Sequence, residues 1–132
     1  MKTHTLVLIS GTADEIATFT EDELNDECAL SCCYPGKTIR ACAPDFFEAL
    51  CKIRLELERE GLIPFCYGAS LNVFPSNMAR QMGIGKAAYK MVMNQPATQE
   101  QLVYIFDQGS GIIPASVEKQ KQYFNKWFAS LS

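Results

Sequence analysis

The apolar positions of this chain follow two rhythms, and each predicts a different kind of element. Between Asp45 and Gly61, Phe46, Leu50, Ile53 and Leu57 recur at i, i+4, i+7 and i+11, one stripe of a helix, with Lys52, Glu56, Arg59 and Glu60 mostly off it. Asp45-x-x-Glu48 after Pro44 reads as a capping box, and Gly61 stands where a left-handed C-terminal cap belongs. A second helical pattern begins near Pro114 to Ser116 and carries Val117, Phe124, Trp127, Phe128 and Leu131.

Shorter apolar runs predict strands: Thr5 to Ser10, two strands within Ala29 to Ala43, Ile63 to Phe74 with a break at Gly68, and Ala87 to Met93. Leu102 to Asp107 reads as a buried central strand. The turn Tyr34-Pro35-Gly36-Lys37 has proline where type II turns prefer it, so its loop is expected to be wider than two residues. Thr12 to Cys28 mixes acids with widely spaced Ile16, Phe19 and Leu24, which predicts a short helix or a charged loop. The order of elements predicts an α+β fold, a mostly antiparallel sheet of about five or six strands covered by two amphipathic helices at about 45–60 and 115–131. A chain of 132 residues is expected to form one domain, 1–132, with a core that needs neither metal nor disulfide.

Composition changes that picture little: 48% apolar and 20% charged residues are usual for a globular chain. No apolar run approaches the roughly 20 residues that cross a bilayer, so no membrane association is expected. The first residues lack the long apolar region of a secretory signal, which predicts a cytoplasmic protein whose six cysteines are free thiols. Cys51 and Cys66 should be buried, and of the neighbours Cys32 and Cys33 at most one should face the core.

Charge is more informative. Residues 1–36 hold Lys2 against Asp14, Glu15, Glu21, Asp22, Glu23, Asp26 and Glu27, a net of −6, and the rest of the chain is +3, within a total of −3. Such a field disfavours nucleic acid and steers a basic protein partner.

Signatures of catalysis are missing. Gly83-Ile84-Gly85-Lys86 departs from a phosphate loop at Arg80 and Ala87, and reads as a turn. Cys28, Cys32, Cys33 and Cys42 lack two spaced ligand pairs, so neither a metal nor another cofactor is expected. His4, the one histidine, lies near a terminus expected to fray, which argues against a histidine base. The best polar cluster is Asn72, Ser76, Asn77 and Arg80, with Tyr67 and Tyr89 near it on the flanking strands and Ser76 also placed to cap a short helix through Met82.

The helix ending Leu-Glu-Arg-Glu-Gly, then Gly68-Ala69, Val73-Phe74-Pro75-Ser76-x-Met78-x-Arg80-x-Met82-Gly83-x-Gly85, Ala88-Tyr89 and Leu102-Val-x-Ile-Phe-Asp107 resemble a group of small bacterial proteins over about residues 52–107. In size and single-domain form that group resembles the immunity proteins of contact-dependent inhibition and other polymorphic toxin systems. The resemblance implies a non-enzymatic protein that binds and blocks a cognate toxin domain. An acidic inhibitor complements a basic, nucleic-acid-cutting toxin, and Glu21, Asp22, Glu23, Asp26 and Glu27 are the expected contacts. The rival expectation is a small enzyme or ligand-binding protein in which Asn72, Ser76, Arg80 and Tyr89 converge on one pocket in the 61–93 connection.

Overall fold

The computed structural model describes residues 1–132. Its α+β architecture contains a five-stranded and a three-stranded sheet. The larger is antiparallel, with β1 (Lys2–Ile9), β2 (Glu15–Leu24), β3 (Glu27–Tyr34) and β4 (Lys37–Ala43) forming a meander and β5 (Ile63–Pro64) pairing with β1 at the far side. Alternation sets its two faces. Leu6 and Leu8, Ala17 and Phe19, and Cys28, Leu30, Cys32 and Tyr34 point inward, and Ile16, Leu24, Cys33 and Arg40 point to solvent.

Residues 15–24 form a ten-residue strand where a helix or loop is expected, because the inward positions are filled by small, aromatic and acidic residues. Ala17, Phe19 and Glu21 face inward while the branched Ile16 faces out, so the period of two is hidden from a reading keyed to large apolars. The β3–β4 turn is also tighter than expected. Tyr34 pairs directly with Lys37, leaving Pro35-Gly36 as a two-residue loop with Gly36 at φ 81°, the left-handed second position that type II requires.

Helix α1 (Phe46–Glu58) crosses the inner face, packing on β3, β4 and β5 through Phe46, Phe47, Ala49, Leu50, Ile53 and Leu57. Asp45 caps it by accepting a 2.8 Å hydrogen bond from the Glu48 amide. Glu48 does not complete the capping box; its carboxylate lies 3.8 Å from the Arg80 guanidinium. Gly61, at φ 74°, turns the chain into β5 as expected.

The connection that follows is more broken than a strand. A 3₁₀ turn at Tyr67–Ala69 separates β5 from the two-residue β6 (Val73–Phe74). Helix α2 (Asn77–Met82) comes next, and Ser76 Oγ accepts from the Ala79 amide at 3.0 Å as its cap. β7 (Ala87–Lys90) and β8 (Leu102–Tyr104) complete the second sheet in the order β6-β7-β8. β8 is thus an edge strand and not a central one; only its inward side and the buried Ile105 and Phe106 account for the apolar run.

Helix α3 (Val117–Ser130) is capped by Ser116 Oγ, which accepts from the Lys119 amide at 3.1 Å. It packs on β6 and α1 and not, as expected, on the large sheet. Gln120 and Trp127 form its buried line with half-buried Phe124, leaving Phe128 63% and Leu131 39% exposed.

Candidate functional site

Two regions gather the chemistry of the chain, and the first is the end of the β2–β3 hairpin. Leu24 pairs with Glu27 across Asn25-Asp26, whose φ values of 52° and 64° make a type I′ turn. That turn matches the right-handed twist of the strands, and Asn and Asp tolerate left-handed backbone better than other side chains. The hairpin therefore carries Glu23, Asp26 and Glu27 into solvent, with Asp22 half-exposed beside them. None of the four takes part in an ion pair.

Glu21 is different. It continues the inward series of Ala17 and Phe19 and is 5% exposed, so it belongs to the root of the hairpin and not to its outer face. His4 Nε2 lies 2.5 Å from one carboxylate oxygen and Lys86 Nζ 3.1 Å from the other. His4 is not frayed: it pairs with Phe19 in the ladder, and its ring stacks on Phe106 at 4.6 Å. Because His4 and Glu21 share the inner face on adjacent strands, alternation and register bring them together across 17 residues. The balanced pair of partners removes Glu21 from the acidic field, leaving Asp22, Glu23, Asp26 and Glu27 to define it.

The hairpin end also has an apolar neighbour. Glu23, Asn25, Asp26, Glu27, Cys28, Pro44 and Ile84 line a shallow cleft of about 470 Å³. Ile84 holds a φ of 49°, an outlier for a branched side chain, and its carbonyl accepts from the Phe46 amide at 2.8 Å. Gly85 follows at φ 73°, where a Cβ would come within 2.7 Å of Asp45 Oδ1. The Gly83–Gly85 turn is thereby pressed against the start of α1 and presents Ile84 beside the carboxylates.

The second region lies in the 61–93 connection. Ser76, Arg80 and Tyr89 line one cavity of about 290 Å³, as the pocket expectation requires. Asn72 does not line it: its side-chain oxygen accepts from Ser70 Oγ at 2.7 Å and its carbonyl from the Met91 amide at 2.7 Å. Arg80 is committed as well, with Nε donating to Asp45 Oδ2 at 3.0 Å. Most of the remaining wall comes from Phe74 and from Lys121, Phe124, Trp127 and Phe128 of α3. Those α3 residues are missing from the expected site because nothing local in the sequence says that residues 121–128 return to residues 74–91.

No family model and no curated protein sequence matches the chain, so the geometry carries the functional argument.

Proposed function

We propose that this chain is a toxin-neutralising binding protein of the immunity type, which blocks a cognate toxin domain by docking the acidic end of its β2–β3 hairpin on a basic surface. The observation that carries the reading is that Asp22, Glu23, Asp26 and Glu27 share one hairpin end without a cation paired to any of them. Uncompensated like charges held together raise the local potential, and an oppositely charged partner relieves it. Ile84 and Pro44 beside them supply an apolar centre to an acidic rim, the usual anatomy of a protein interface. Glu21, buried and paired, positions the hairpin and is not a contact.

Protection in co-expression tests the reading. The chain, in native form and as Glu23→Lys/Asp26→Lys/Glu27→Lys, is produced together with a candidate toxin domain taken from a neighbouring gene. The native chain is expected to restore growth and to co-purify with the toxin, and the triple variant to do neither while keeping its circular dichroism. Full protection by the triple variant would refute the assigned surface. A reversal elsewhere, Glu100→Lys/Glu118→Lys, is expected to leave protection intact.

A further inference from the structure

We propose that the cavity between α3 and the β6–β7 pair is a binding site for a small aromatic carboxylate, independent of the acidic hairpin. Five rings, Phe74, Tyr89, Phe124, Trp127 and Phe128, line a space of about 290 Å³. That volume is at the lower end for small-molecule sites, which suits a guest of one or two rings.

The walls are fixed before any guest arrives. Phe74 and Tyr89 are cross-strand partners, and Phe74 stacks on Phe124 at 4.2 Å. Trp127 is anchored by its indole Nε1, which donates to the carbonyls of Val92 at 3.0 Å and Gln95 at 2.9 Å. Phe128 faces outward on the next position of α3 and is 63% exposed, an unusual placement for a ring that touches a cavity. Such a preformed aromatic cleft favours a flat apolar guest, whose ring finds offset or edge-on partners on several sides.

Charge selects the polar end of that guest. Two cations border the cavity, and they are not equivalent. Arg80 is already balanced by Asp45 at 3.0 Å and Glu48 at 3.8 Å. Lys121 is in none of the ion pairs of the chain, and its ammonium lies 5.2 Å from the Phe74 ring centre and 5.6 Å from that of Phe124. Ser76 accepts a backbone hydrogen bond and retains its own proton, so it adds a hydroxyl donor to the lining of the cavity. An anionic group in this cavity would pair with Lys121 while its ring enters the cleft, with Ser76 a further donor in the lining. A carboxylate has the single charge that one free ammonium matches.

Titration of the labelled protein with naphthylacetate and with the neutral naphthylacetamide tests the site, read from the Trp127 Nε1–H resonance. The acid is expected to shift that resonance and to bind at least about tenfold more tightly than the amide, since a charge-assisted hydrogen bond replaces a neutral one. Lys121→Gln is expected to erase the difference without weakening the amide, and Phe128→Ala to weaken both probes. Equal affinities for acid and amide in the native protein, a resonance that neither probe moves, or an acid preference that survives Lys121→Gln would each overturn the proposal.

Discussion

Arg54 NH1 donates to Gln120 Oε1 at 2.6 Å, joining α1 to α3 across 66 residues in the buried interior. Both residues are 1% exposed. The guanidinium has no carboxylate partner; it also donates to the carbonyls of Gly68 at 3.0 Å and Ala115 at 3.0 Å. Gln120 Nε2 in turn faces the carbonyls of Gly68, Ser70 and Val73 within 3.0 Å, three acceptors for two protons. Burial pushes the arginine down from its ordinary value, and the nearby Cys51, Cys66 and Glu58 offset that loss of water only in part. The pair therefore fastens the irregular 67–73 segment between two helices.

Arg54 is the side-chain donor to the Ala115 carbonyl and to Gln120 Oε1, and Gln120 is an acceptor for a buried guanidinium, so Arg54→Ala is expected to cost about 3–5 kcal/mol and Gln120→Leu about 2–4 kcal/mol in urea unfolding. Gln120→Glu discriminates between a charge effect and a donor effect. It adds a carboxylate beside Arg54 but points its second oxygen at three carbonyls, and is expected to destabilise the protein despite the new ion pair. A stabilised Gln120→Glu variant would show that the missing counter-charge, and not the donor pattern, limits the site.

Thiol accessibility follows from strand alternation. Cys33 and Cys42 are exposed on the outer face, whereas Cys28, Cys32 and Cys66 are buried and Cys51 is intermediate. A thiol reagent applied to the native protein is expected to label Cys33 and Cys42 first. All six should react in denaturant without a reductant, since every cysteine is free. Rapid native labelling of Cys32 or Cys66 would contradict the placement of β3 and of the turn after β5.

The same buried thiols set an alkaline limit. Burial raises Cys32 from 9.0 to about 12 and Cys66 from 9.0 to about 11. In the unfolded chain both ionise near 9, so between 9 and 11 the folded state holds more protons and stability falls as pH rises. The decline is expected to approach about 1.4 kcal/mol per pH unit for each thiol. Measured by urea unfolding from pH 8 to 11, Cys32→Ala should have a shallower slope than the native chain. An unchanged slope would mean that Cys32 titrates alike in both states.

Much of this fold is legible in the sequence, and the failures share one cause. The stripe Phe46, Leu50, Ile53 and Leu57 and the Asp45 cap locate α1 because their signals are local. Ser76 announces α2 for the same reason. β2 escapes because Glu21 occupies an inward position, and its burial depends on His4 and Lys86, which alternation alone does not supply. Arg54 lies within the turn of the helix that carries Ile53 and Leu57, yet its acceptors come from residues 68, 115 and 120. The acidic segment is legible as charge, and its shape as a type I′ hairpin is not. The aromatic cavity was legible by half, since Ser76, Arg80 and Tyr89 are neighbours in sequence and the α3 wall is not.

The most direct test of the account is the affinity of the chain for a candidate cognate toxin domain, the proposed partner, measured by calorimetry at low and high salt. The native chain is expected to bind with an affinity that falls steeply as salt rises, because exposed charges act through a screened field. Glu23→Lys/Asp26→Lys/Glu27→Lys should lower the low-salt affinity at least about a hundredfold and flatten the salt dependence. Native-like affinity and salt dependence in the triple variant would contradict the assignment of the hairpin end as the binding surface.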